Sequence, residues 1–160
     1  MRTFAFLVLA AIAQVAPAQT YRSEEHSFTV TRVIGGLAHP WSLAFLPDGR
    51  MLITERPGRL RIAKDGKLDP EPVSGLPTVT PHGQGGLMDV ALHPNYAQNG
   101  LVYWSFAGRG ADGIGTEVAR GKLVGNRMEG AQVLFRQSPK GTTGRHFGSR
   151  LVFDRAGFLY

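Results

Sequence analysis

Two short segments hold the side chains best suited to chemistry. The first, PHGQGGLMDVALHP at residues 81–94, sets Gln84 among Gly83, Gly85 and Gly86, just ahead of an apolar run. Glycines on both sides let a backbone come close to a ligand, and the amide brings both donor and acceptor. The same residues also describe a glycine-rich turn with an exposed glutamine. The second, TGRHFGSR at residues 143–150, places His146 between Gly144 and Gly148, again immediately before an apolar run. A histidine titrates near pH ~6.5 and can take a proton at neutrality. A lone histidine is equally at home as a satisfied loop or core residue.

The remaining candidates are weaker. His39 and His93 each precede a proline, and His26 lies in the N-terminal stretch, so all three read as turn and packing residues. No two histidines have H-x-x-x-H spacing and there is no cysteine, so a zinc site is not supported. There is no G-x-S-x-G elbow, and GRGADGIG lacks the strand-to-helix context of a phosphate loop. Arg145 and Arg150 flank His146 and suit either an anion or the tying of a loop to a strand.

Strands must position these residues. The 21 glycines and 10 prolines interrupt the chain too often for an amphipathic helix of ordinary length. Short alternating or apolar runs fit instead: FTVTRVI, WSLAFLP, RMLITER, RLRIAK, MDVALHP, LVYWSFA, TEVARGKL, RLVFD and GFLY. The class is all-β. A repeat runs through it, since WSLAFLPDGRMLITE, MDVALHPNYAQNGLVYWS and SRLVFDRAGFLY share a strand–turn–strand scheme. Aligned on Phe45, Leu92 and Phe153, the intervals are 47 and 61 residues, with an insertion expected near GRGADGIG or SPKGTTGRH. Such a period, with turn glycines, marks the blades of a β-propeller, the alternative being a β-sandwich of unrelated hairpins. Only two blades and the start of a third are visible, so the chain reads as the N-terminal part of a longer propeller. Equivalent placement in successive blades would bring Gln84 and His146 together near the central axis.

Composition narrows the setting. Residues 1–18, MRTFAFLVLAAIAQVAPA, combine a basic Arg2, an apolar run and Ala16-Pro17-Ala18, the layout of a signal peptide cut before Gln19. That run is too short to span a bilayer. Residues 19–160 are then the exported domain, periplasmic or secreted, stabilised without disulfides. The formal charge of +6 is scattered, with no basic run and no interleaved aromatic ladder, which argues against a nucleic-acid partner.

Three stretches together, HPWSLAFLPDGRMLITERPGRLR, HGQGGLMDVALHP and GRHFGSRLVFD, closely resemble the soluble quinone-dependent aldose sugar dehydrogenases of the glucose/sorbosone dehydrogenase family. The likeness runs from about Thr29 to Tyr160. It implies a six-bladed propeller with pyrroloquinoline quinone across its axial cleft. Gln84 would hydrogen-bond the cofactor, and His146 would be the general base. His146 would take the proton of an aldose's anomeric hydroxyl as hydride passes from C1 to the quinone, giving a lactone and passing electrons to an external acceptor. The resemblance also implies calcium, with ligands and cofactor-binding arginines in later blades, beyond residue 160. On that expectation the 160-residue chain alone is inactive. Two rival functions on a similar propeller are a calcium-dependent lactonase and a non-catalytic module that binds sugar or protein.

Overall fold

The structure, a computed structural model, describes residues 19–160. The expected signal peptide at residues 1–18 lies outside the described residues. Strands β1 (Gln19–Arg22) and β2 (Ser27–Val30) form an antiparallel pair of their own, closed by the Tyr21–Phe28 ring stack at 5.7 Å. This hairpin belongs to one compact unit, and everything from Ile34 to Tyr160 belongs to another.

The second unit contains two four-stranded antiparallel sheets, each a simple meander. The first runs β3 (Pro40–Phe45), β4 (Met51–Glu55), β5 (Arg59–Lys64) and β6 (Lys67–Leu68). The second runs β7 (Leu87–Leu92), β8 (Leu101–Gly110), β9 (Gly113–Val124) and β10 (Arg127–Arg136), with a single helical turn α1 (Tyr96–Asn99) between β7 and β8. Consecutive four-stranded meanders are propeller blades. Local chemistry sets the turns. Pro47-Asp48-Gly49 closes β3–β4, with Gly49 at φ 82° and the Asp48 carboxylate accepting from the Arg50 backbone and guanidinium. Asp65-Gly66, both at positive φ, closes β5–β6 as Asp-Gly does in two-residue hairpins. A third hairpin begins where the repeat expects it: Val152 and Tyr160 exchange backbone hydrogen bonds of 2.9 and 2.8 Å.

Three details differ from the sequence reading. β1, β6 and β10 lie outside the runs that read as strands. β10 is largely exposed, carries Gly130 at φ 59° and is bulged twice, so its alternation is broken. GRGADGIG is not an inserted loop, because β8 and β9 pair without interruption to Gly110 opposite Gly113. The longer second interval comes from these long strands and from the irregular stretch over residues 137–150. Of FTVTRVI only the first three residues, 28–30, lie in a strand, β2, and residues 31–34 are irregular.

The blades share one core, in which Leu52 and Leu60 of the first pack with Trp104 and Phe106 of the second. The most deeply buried charge is Glu55, with no exposed surface. It accepts from the Ala38 N–H at 2.6 Å and the Arg59 guanidinium at 2.6 Å, with Arg61 at 3.5 Å. Burial pushes its pKa up. The Ala38 hydrogen bond and the two guanidiniums outweigh this, and the carboxyl is held below its ordinary value. A depressed carboxyl stabilises the fold above the unfolded-state value, about 4.3, and that stabilisation is lost as pH falls through the folded value. Glu55→Gln is therefore expected to flatten the acid limb of stability below pH ~4.3, read as urea midpoint against pH. An unchanged acid limb would show that Glu55 does not govern it.

Candidate functional site

The two segments singled out by residue type meet in the second unit. His82 to Gly85 forms a tight turn, with Gly83 at φ 55° and reciprocal backbone bonds between His82 and Gly85 of 3.2 and 2.9 Å. Gln84 stands exposed at its tip. The turn is braced from the first blade, where the Arg56 guanidinium donates to the Gly83 carbonyl at 2.8 Å and the Leu87 N–H donates to the Arg56 carbonyl at 3.1 Å.

Residues 142–150 carry no regular secondary structure and lie against this turn. The Gln84 N–H donates to the Gly144 carbonyl at 2.9 Å. The His146 N–H donates to the Gln84 side-chain oxygen at 3.0 Å across 62 residues of sequence. A backbone N–H can only donate, so the amide of Gln84 is oriented: Oε1 faces His146, and the Nε2 donors are left for something else. Neither Nε2 nor an imidazole nitrogen of His146 has a hydrogen-bond partner among the described residues. His146 is exposed and sits at φ 61°, a conformation uncommon for a residue other than glycine. Such strain gathers at functional sites, where the surroundings over-determine the backbone.

Of the two uses open to the glycines around Gln84, the tight turn is the one the backbone adopts. A Cβ on Gly83 would lie 2.1 Å from the Gly144 carbonyl oxygen, one on Gly85 2.7 Å from the Phe147 ring, and one on Gly86 2.0 Å from the Arg56 carbonyl oxygen. They admit neighbouring protein rather than a ligand. At Gly148, two residues beyond His146, an added Cβ would by contrast meet nothing within 4 Å.

Two positions escaped the sequence reading. Arg56 braces the turn, and Asp89, only 2% exposed, is a hub within β7. Asp89 accepts from the Ser42 hydroxyl at 2.6 Å, the Leu151 N–H at 2.7 Å and the Arg150 guanidinium at 3.1 Å. Its signal was an acid inside an otherwise apolar run, which must find partners if the run is buried. Arg150 also lies over the Trp41 ring, 5.6 Å from its centroid, so it ties a loop to a blade. His39 has φ 51° and its carbonyl accepts from the Arg56 N–H, while the His93 ring accepts from the Asn95 N–H and packs on Phe153, consistent with turn and packing roles. His26 lies just before β2, where its carbonyl accepts from Ser23. The groove lined by Asp48, Tyr96 and Lys122 includes neither Gln84 nor His146.

Among the described residues no three of His, Cys, Asp and Glu gather as a metal site, and no helix is long and apolar enough to cross a membrane.

Comparison with known proteins supplies an independent line. The family model described as glucose/sorbosone dehydrogenase matches residues 37–160. The aldose sugar dehydrogenase YliI of Escherichia coli K12 is 49% identical over 128 residues, covering 78% of this chain and 34% of that protein. Among solved structures, the soluble aldose sugar dehydrogenase of Escherichia coli in its apo form superposes with a TM-score of 0.73 at 49% identity, over 77% of this chain and 37% of that one. The PQQ-bound form of the aldose sugar dehydrogenase of Streptomyces coelicolor does so with a TM-score of 0.65 at 30% identity, over 81% and 39%. The chain spans about a third of the length of the two curated relatives it matches at 45% and 49% identity, 31% and 34%.

Proposed function

Because the chain belongs to the glucose/sorbosone dehydrogenase family, we propose that residues 19–160 supply the first blades, and the base-bearing part of the active site, of an exported oxidoreductase of aldose sugars. Its reaction is oxidation of the anomeric C1 hydroxyl to a lactone, with pyrroloquinoline quinone as cofactor and an external electron acceptor. The observation that carries this reading is the 3.0 Å bond joining Gln84 to His146.

The residues fit the group. Gln84 is exposed with two unpaired amide donors, and the residue whose N–H its oxygen accepts, His146, is exposed as well. Quinone carbonyl and carboxylate oxygens are acceptors, which is what those donors require. When bound, the quinone supplies a two-electron acceptor for hydride. The chain's own part is to hold and to deprotonate. His146, fixed at its backbone, accepts the C1 hydroxyl proton on a ring nitrogen, so that the C1–H bond can break with the carbonyl forming behind it. Gln84 fixes the backbone that carries that imidazole, which keeps the base within reach of one hydroxyl rather than sweeping a volume. Among the described residues no three of His, Cys, Asp and Glu gather to hold calcium. Export rests on the signal-peptide layout of residues 1–18.

The test is reconstitution. Natural full-length protein, freed of cofactor and given pyrroloquinoline quinone with calcium, is expected to bind the quinone one to one, to reduce a dye only when an aldose is present, and to release lactone. Protein that neither binds the quinone nor gains activity from it would overturn the proposal. Hydrolysis of an added lactone without dye reduction would replace it with a hydrolase.

A further inference from the structure

We propose that Asp89, together with Ser105, is a positioning residue that holds His146 in its strained conformation; this rests on the reading of His146 as the base. The reasoning starts from the backbone. A non-glycine residue at φ 61° relaxes unless both flanks are tied down. On the N-terminal flank Gln84 binds the Gly144 carbonyl and the His146 N–H. Between residues 145 and 150 no backbone group bonds to another backbone group, so secondary structure gives no help there.

The C-terminal flank is tied by side chains alone. The Ser105 hydroxyl donates to the Ser149 carbonyl at 2.7 Å and accepts from the Asp89 N–H at 3.0 Å. The Asp89 carboxylate accepts from the Leu151 N–H through one oxygen and from Arg150 and Ser42 through the other. Ser105 is fully buried and Asp89 nearly so, both on strands of the second blade, and Ser42 adds the first. The loop bearing His146 is thus stretched between the turn that ends at β7 and the interior of β7 and β8. Loosening the far anchor lets residues 145–150 relax, and with them the imidazole.

Asp89→Asn makes the test, because an amide keeps the size of the carboxylate but accepts at one oxygen only. Either the Leu151 N–H or the Ser42–Arg150 pair then loses its acceptor. In quinone-free full-length protein, hydrogen exchange at the His146 N–H is expected to quicken about tenfold or more, while core amides such as those of Leu52 and Trp104 keep their protection. In reconstituted protein kcat is expected to fall about tenfold with the aldose KM changed less than about twofold. Should Asp89→Asn not fold, Ser105→Ala, which frees only the Ser149 carbonyl and the Asp89 N–H, is expected to show the same selective loosening at His146. Exchange at His146 unchanged in the variant that folds, or quickened evenly through the core, would overturn the proposal. A His146→Asn variant measured alongside tests the base itself: full activity there defeats that reading, while the exchange result still decides the anchor.

Discussion

His146→Asn in the reconstituted full-length protein is expected to lower kcat for aldose oxidation about 10²- to 10⁴-fold, the usual contribution of a positioned general base. Asparagine is chosen for the backbone, since His146 sits at φ 61° and asparagine is among the few residues that accept that region readily. Its N–H can still donate to Gln84, so the turn and the loop stay joined and the loss reports chemistry rather than misfolding. Quinone affinity is expected to change little, because in the proposed function the groups offered to the cofactor lie on Gln84. The acid limb of the kcat profile, which reports a base in the enzyme–substrate complex, is expected to disappear with the imidazole. Dye-linked turnover and a quinone titration on the same preparation make the measurement. A variant that keeps wild-type kcat would remove His146 from the proton transfer and leave the exposed, strained histidine without a purpose.

Much of the framework was legible in the residues. Period-two runs and turn glycines mark β3, β4 and β5 of the first blade and β7, β8 and β9 of the second, and the strand–Pro-Asp-Gly–strand repeat marks their succession, because each of these is written locally. What escaped is what depends on partners distant in sequence. β10 is an exposed, bulged strand whose place is set by pairing with β9 rather than by its own pattern. The glycines beside Gln84 read equally as a ligand approach or a turn, because their role, admitting Gly144, Phe147 and Arg56, is visible only once the loop and the strand end have been brought against the turn. The same holds for Asp89. An acid in LMDVAL announces a buried charge, but not that its acceptors are spent on the flank of a loop 62 residues away, at Leu151. The three segments that carry the family resemblance prove to be one assembly: Trp41 of the first meets Arg150 of the third, and Gln84 of the second meets His146. Their joint occurrence is specific because each is folded against another.

The orientation of Gln84 leads to the second large effect. Its oxygen is occupied by the His146 N–H, so toward a ligand the side chain can only donate. Gln84→Glu keeps the occupied oxygen, and with it the loop, but replaces the two donors by a charged acceptor, which in the proposed function would face the carbonyl and carboxylate oxygens of the quinone. A lost hydrogen bond and an acceptor set against an acceptor together cost about 3 kcal/mol, so the quinone Kd is expected to rise on the order of 10²-fold. Gln84→Ala removes the donors without adding repulsion, and also strands the His146 N–H. It is therefore expected to weaken the quinone less than Gln84→Glu does, yet to lower kcat more once quinone is saturating. That crossing of Kd and kcat between the two variants separates a residue that both binds the cofactor and seats the base from one that does only the first. Titration of each apoprotein with quinone, followed by turnover at saturation, measures it. If Gln84→Glu bound the quinone as tightly as wild type, the amide would not face the cofactor, and the side chain would be left with the single task of holding His146.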